Sequence, residues 1–537
     1  MSQFGHTNRL TRRELLKLGA AAGAVGAAGL IGVPAFVRAA PRQQGLAPGM
    51  IGGPTGFEGA ERYQYGPDTP AGRAIEGIRA LPADRKPARL QMLVGASAEL
   101  HWTGVFPEGA PPVLDLFERE TGIRVEITVL PYAELFGRVI QDRVTNAGAF
   151  DIYSLLYNSL ASAYEAGALL ALDEFVDQYR PDWEAHYGGG ALTVNLLNRY
   201  RGRTISVNFD GDYQIWIYRR DLFEDPNEQR EFRARYGWDL QPPETWEQFD
   251  QIAEFFHRPD EGLYGNTALL NPGWGFSNFY QRYASGSLPN QFYFDPDSGQ
   301  ALLNSPAGVQ ACAEHVASLA QHSPDALVWS WPEQYANMSA GGAAMTCAFA
   351  NMPKFLDTPG SAVQGRLGSF ISPGRLFDGQ LVRRSVTYIG NTYQVSSQTR
   401  YPEAAYLFLQ WANSPSIYTW MVGNPGGTFD PFQVSDFTDP LVIQSYQQYQ
   451  IDSIQATTEI TVPPPSLLNG GQEYEGALDE ELQAALTGQK TPEQAMADAA
   501  RRWNEITDRL GRDAQIEAIQ NQLDAWPSLI ETPTIES

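Results

Sequence analysis

From Arg89 onward the chain alternates two hydrophobic patterns. Short apolar runs, Leu90-Gln91-Met92-Leu93-Val94 and Phe150–Leu156, and the clean alternation of Ile123–Val129 predict strands. Between them, Pro111–Thr121 carries Val113, Leu114 and Phe117 on one helical face and stops at Gly122. Tyr132–Asn146 is helical in period, with Leu135, Val139 and Val144 apolar. Strands that alternate with helices predict parallel sheets flanked by helices, an α/β fold. Nearly 500 residues follow the first 39, more than one hydrophobic core organises, so at least two lobes are expected.

One stretch organises the rest, Arg203–Phe223. Ile205, Val207 and Phe209 alternate with Ser206 and Asn208. The pattern breaks at Asp210-Gly211-Asp212 and resumes through Tyr213, Ile215 and Ile217. Two strand-like runs around an acidic, glycine-containing break predict a chain that leaves one sheet and enters another. The acidic break then sits between two lobes, where small-molecule sites prefer to lie.

The first 88 residues read differently. Thr11-Arg12-Arg13-Glu14-Leu15-Leu16-Lys17 precedes an uncharged, Ala- and Gly-rich run from Leu18 to Val33, and Val37-Arg38-Ala39 offers small residues for cleavage. This predicts a twin-arginine signal peptide over 1–39; a transmembrane anchor is the alternative, disfavoured because the run is short and poor in Leu and Ile. No cysteine lies near the cleavage point, so the expected product is exported, periplasmic or otherwise outside the cytoplasmic membrane, and not lipid-anchored. Residues 40–87 are rich in Gly and Pro and show no sustained periodicity. They are expected to be a flexible or surface-wrapped leader, with Phe57, Tyr63 and Tyr65 available for burial.

Several motifs in order carry a family resemblance. Trp216–Phe223 (WIYRRDLF) is followed by Pro242–Phe249 (PPETWEQF), a helix start. Glu118–Val125 reads Glu-x-x-Thr-Gly-Ile-x-Val, and Gly167–Asp173 reads GALLALD. Gly262–Gly265, Gly341–Met345, Tyr401–Trp411 and Gly488–Ala495 continue the series. Together they resemble the extracellular solute-binding proteins of ABC importers, most of all the sugar-binding group that includes maltose-binding protein. The resemblance implies a two-lobe, type II periplasmic-binding-protein-like fold with a hinged cleft. Lobe one is expected at 88–205 and 362–413, and lobe two at 206–361 and 414–530. Asp225–Leu240 is a charged insertion relative to that group, read as a surface helix. The implied function is capture of a sugar or polyol and its delivery to a membrane permease, by a monomer that is not an enzyme and needs no cofactor.

Charge and candidate chemistry narrow the choice. A net charge of −24 excludes nonspecific nucleic-acid binding. His101, His186, His257, His315 and His322 form no metal-ligand pair, and His315 and His322, seven apart on a helix, are read as surface residues. No nucleophile elbow or phosphate-binding loop occurs. Cys312, in a helical pattern, and Cys347, in a strand pattern, are either buried thiols or a disulfide. Sugar hydroxyls need paired donors and acceptors, and pyranose faces need flat aromatic surfaces. By resemblance, the ligand-binding positions fall on Asn158, beside Tyr157, and on Asp212, beside Asp210. Two stacking positions of the group fall on Asn351, near Phe349, and on Glu475, near Tyr474. Loop position adds His101, Trp102, Trp274 and Asn391. The binding set is therefore His101, Trp102, Tyr157, Asn158, Asp210, Asp212, Trp274, Phe349, Asn351, Asn391 and Tyr474. The rivals are an exported carbohydrate-active enzyme, a receptor for a cationic solute such as a polyamine, and a receptor that displays its ligand to a sensor.

Overall fold

The computed structural model describes residues 45–525 except 97, 104–108, 287–292, 387–389 and 463. The twin-arginine segment and its cleavage point lie outside the described residues. The described chain is a two-lobe α/β fold built on two principal sheets.

Nine strands make these sheets: β1 (Arg89–Gly95), β2 (Arg124–Leu130), β3 (Ile152–Leu156), β4 (Val207–Asn208), β5 (Gln214–Arg219), β6 (Tyr264–Thr267), β7 (Ala343–Phe349), β8 (Leu367–Phe370) and β9 (Asn391–Val395). The first sheet has the order β2-β1-β3-β9-β4, and the second β8-β5-β7-β6. β1 is parallel to β2 and β3, whereas β9 runs antiparallel to both β3 and β4. In the second sheet β5 is antiparallel to β8 and β7, and β6 is parallel to β7. The chain leaves the first sheet at Asn208 and enters the second at Gln214. The segment 362–413 serves both sheets, giving β8 to the second and β9 to the first.

Alternation along the strands sorts side chains between cores. Leu90, Met92 and Val94 enter one core and Leu93 the opposite one; Ile215 and Ile217 enter the first, while Trp216 turns to a third. The third core is Trp216 packed edge-on against Trp246 and Phe249 of the helix Trp246–Phe256. That helix opens with a reciprocal capping box between Thr245 and Gln248, the local reason the motif at Pro242–Phe249 starts a helix. Tyr132–Thr145 ends where Asn146 takes a left-handed conformation; Leu135 and Val139 are buried, but Val144 is exposed. The charged insertion forms the helix Pro226–Tyr236, which buries only Phe232.

The leader takes the packed alternative, with Tyr63 and Tyr65 buried, and it also holds a helix that its lack of periodicity did not predict. Pro70–Ala80 is a helix, with Thr69 capping Gly72 N and Pro70 in the first turn. Its Ala71, Ala74, Ile75 and Ile78 are buried, and it packs on the helix Pro402–Ala412. Trp411 Nε1 donates to Tyr65 Oη at 2.8 Å, Tyr65 in turn donates to Glu120, and Tyr63 donates to Asp439 at 2.9 Å. Small alanines on the packing face hid this helix from a reading based on large apolar residues.

His315 and His322 also depart from expectation: both are buried. His322 Nδ1 lies 2.7 Å from Ser318 O. Burial pushes the pKa of His315 down to about 3 and that of His322 to about 4. Cys312 and Cys347 are free, buried thiols in different cores.

Candidate functional site

The crossing between the sheets brings three carboxylates together. Asp210 and Asp212 come from the first crossing and Asp430 from the loop after the helix Pro415–Val422; one oxygen of each lies within 4.8 Å of the others. Close approach of backbone makes this possible. A Cβ on Gly211 would collide with Pro431 O, and one on Gly390 would collide with the carboxylates of Asp212 and Asp210.

Two of the carboxylates, Asp210 and Asp430, are held by named groups. Asp210 Oδ1 accepts Asp430 N at 3.0 Å, and its Oδ2 accepts the backbone and side-chain nitrogens of Asn391 at 3.4 and 3.3 Å. Asn391 Oδ1 accepts the Tyr132 hydroxyl at 3.0 Å. Asp430 takes the Tyr446 hydroxyl at 2.7 Å and Asn351 Nδ2 at 3.2 Å, and Asn351 in turn accepts the Tyr335 hydroxyl at 3.1 Å. Burial is the first cause, and like charge an added one, that holds Asp210 and Asp212 well above the usual carboxylate range. Burial raises Asp430 to about 7 against the pull of Tyr446 and Lys354.

Lys354 is the cation that faces this cluster. Its Nζ donates to Val422 O, Asn424 O and Gly427 O at 2.8, 3.2 and 3.2 Å, and lies 4.4 Å from the Tyr446 ring centroid. Its donors are thus spent on carbonyls, and the carboxylates feel only its field. Burial lowers its pKa to about 7. Such a cluster can share protons, hold a cation, or accept hydrogen bonds from hydroxyl or ammonium groups.

A second locus forms around one acid. Tyr157 and Asn158 open the helix Tyr157–Glu165, directly after β3. Glu475, on the helix Gly471–Leu486, accepts the Tyr157 hydroxyl at 2.8 Å and Asn158 Nδ2 at 2.6 Å. The same helix carries Asp479, which accepts Gly273 N at 2.7 Å and so anchors the turn that holds Trp274. Trp274 and Phe349, both half-buried, meet edge to face at 5.7 Å.

The expected residues therefore separate. Asp210, Asp212, Asn351 and Asn391 meet in the first locus, and Tyr157 and Asn158 with Glu475 in the second, beside the Trp274–Phe349 pair. His101 stacks on Phe429 at 3.7 Å, one residue from Asp430, and is buried neutral. Trp102 is a core residue, its Nε1 bonded to Tyr393 Oη at 2.8 Å. Tyr474 points away from Glu475 into the second core, where its hydroxyl meets Thr507 at 2.9 Å and its ring packs on Trp503. One step along a helix turns a side chain by about 100°, so adjacency in sequence did not carry Tyr474 to the same place. Asp430, Lys354 and Tyr335 were missed; no local motif marks them, because their contacts are long-range.

Comparison with known proteins fits this architecture. A family model for bacterial extracellular solute-binding proteins matches residues 103–418. The probable amino-acid ABC transporter periplasmic-binding protein y4oP of Sinorhizobium fredii is 23% identical over 419 residues, covering 74% of this chain and 85% of that protein. Among solved structures, an ABC transporter solute-binding protein of Agrobacterium radiobacter in complex with ribitol superposes with a TM-score of 0.63 at 19% identity, covering 78% of this chain and 98% of that one. Maltose-bound MalE3 of T. maritima gives 0.62 at 17%, covering 78% and 99%. A solute-binding protein of Agrobacterium vitis with bound D-mannitol gives 0.61 at 18%, covering 79% and 99%. At these identities the structures show a shared fold. No described helix is long and apolar enough to cross a membrane.

Proposed function

The chain belongs to the bacterial extracellular solute-binding protein family, and on that premise we propose that it captures a sugar or polyol in the cleft between its lobes and presents it to an ABC permease. The observation that carries this reading is the second locus. Glu475, Tyr157 and Asn158 offer acceptors and donors for hydroxyls, and the Trp274–Phe349 pair beside them offers aromatic surface. Structurally similar proteins hold ribitol, mannitol and maltose.

In this proposal Asp212 and Asn158 bind ligand hydroxyls, supported by Asp210, Asn391, Asn351 and His101. The two lobes, one on each principal sheet, with β4 falling to the first and β8 to the second and so shifting the expected bounds at 206 and 362, close by bending at the crossings, the kind of hinge closure periplasmic binding proteins use around ligands. Ligand favours closure only by binding the closed state better than the open one. Export through a twin-arginine signal at 1–39 and action as a monomer without catalysis complete the reading.

A second reading is favoured by the cluster of Asp210, Asp212 and Asp430, of which Asp212 is half-buried: the solute carries an ammonium group, as a polyamine or amino acid does. The name of the Sinorhizobium relative points the same way.

A thermal-shift screen of residues 40–537 separates these readings. The ligands are ribitol, mannitol, maltose, spermidine and amino acids. Ligand at 100 times its dissociation constant adds about 2.7 kcal/mol of stability. A polyol or sugar hit abolished by Glu475→Ala supports the first reading. A cationic hit that weakens with salt and with Asp212→Asn supports the second. No shift together with turnover of a glycan sinks both and leaves an enzyme on this fold.

A further inference from the structure

The far end of the first sheet carries a second charged feature. Asn391 opens β9 and Leu156 closes β3 at the end near the Asp210 cluster. The opposite end holds a groove of about 760 Å³ between 87–91, 146–151, Gly167 and 397–401. The chain has 62 acidic and 38 basic side chains, yet this groove reverses the balance: Arg89, Arg143 and Arg400 line it with a single acid, Asp151.

That acid is turned to its own sheet edge. Asp151 Oδ2 accepts Gln91 N at 2.8 Å, and its Oδ1 accepts the Thr399 hydroxyl. Burial raises the Asp151 pKa from its ordinary value, against the pull of its bonds to Thr399 and Gln91. Arg89 has only a loose partner, Glu126 at 3.8 Å. Arg143 is pinned by Nε to Gly167 O at 2.8 Å, which leaves its two terminal nitrogens uncommitted among the described residues. Arg400 is exposed and makes no ion pair among the described residues. The wall beside them is fixed: Gln398 Nε2 donates to Arg143 O at 3.1 Å and Asn146 Oδ1 at 2.8 Å.

Three guanidinium groups around one groove repel one another unless an anion sits among them. Guanidinium is planar and always charged, and it matches phosphate oxygens two at a time. We propose that this groove is an oxyanion site, separate from the solute cleft, that takes a phosphate-type dianion through Arg143 and Arg400 with Arg89 at its rim.

Calorimetric titration of residues 40–537 with inorganic phosphate and with pyrophosphate, at ionic strength matched with chloride, tests this. The expected result is one saturable site per chain. Arg143→Gln with Arg400→Gln should weaken it about tenfold or more, while Asp212→Ala leaves it unchanged. Arg400→Glu alone, at an exposed position, should also abolish it; melting curves confirm that each variant is folded. Tighter binding of pyrophosphate than of phosphate supports a site that spans the arginines. No saturable heat, an equal response to chloride, or wild-type binding in the double variant overturns the proposal.

Discussion

The two loci use carboxylates in opposite ways. At the crossing, Asp210, Asp212 and Asp430 are crowded together, and the cation facing them, Lys354, is committed to three carbonyls. At the second locus a single carboxylate, Glu475, receives two donors from the helix opposite. The first arrangement concentrates like charge away from water, so the folded chain favours protons there. The second gives one carboxylate two neutral donors. The lesson is that burial of an acid says little by itself; its neighbours decide whether it is a cost to the fold or a tie between helices.

The strongest way to break the contrast is to remove the cation. Lys354→Met should destabilise the protein by about 3–5 kcal/mol, because it leaves three buried carbonyls and the acid cluster without their positive partner. Denaturant unfolding measures this, and a change under about 1 kcal/mol would show that Lys354 does not govern the cluster. Next in size, Glu475→Ala should weaken solute binding about 10- to 100-fold, the scale of lost bonds to a charged group, with Tyr157→Phe costing less. Equal affinity in Glu475→Ala would move the binding locus elsewhere.

A pH series sharpens the comparison. Asp430 and the nearby buried Asp436, which accepts the Thr419 hydroxyl at 2.6 Å and Phe432 N and Gln433 N at 3.0 and 2.9 Å, are raised from 3.8 to about 7, so between those values the folded chain holds protons that the unfolded chain has released. Stability from these groups therefore falls as pH rises from 4 to 7. His315 and His322, lowered from 6.5 to about 3 and about 4, act in the opposite sense: the unfolded chain takes protons that the folded one refuses below 6.5. His101 and His186 are lowered as well, and Asp210 and Asp212 are raised, so the two sets oppose each other, and the carboxylate share of the slope of melting temperature against pH from 5 to 7 is read by comparing variants. Asp430→Asn should remove a downward contribution to this slope. A slope unchanged in Asp430→Asn would dissolve the contrast. The smallest effect is expected for Tyr335→Phe, about 1 kcal/mol, because it removes one hydroxyl from Asn351 and leaves the carboxylates in place.

Legibility in the sequence followed the range of the interactions. The crossing at Asp210-Gly211-Asp212 was visible because alternation stops and restarts within one stretch. The helix at Trp246 was visible because its cap lies within four residues. The helix at Pro70–Ala80 was overlooked because its packing face has only Ile75 and Ile78 as large apolar residues among small ones, and the histidine pair was placed on the surface because helical spacing does not say which face is covered. Asn351 stands where the group has a stacking aromatic, and in this fold it is a polar link between Tyr335 and Asp430.

The sequence by itself determined the order of strands and helices, the α/β class, the acidic crossing and the family resemblance, since hydrophobic period, caps and short motifs are local properties of the chain. Only the tertiary structure decided that Asp430 joins Asp210 and Asp212, that Lys354 faces them, and that Glu475 and not Tyr474 meets Tyr157 and Asn158. Those pairings join residues from 76 to 318 positions apart. Their partners are chosen by the packing of whole helices and sheets, and no local pattern encodes which distant side chain arrives at a given place.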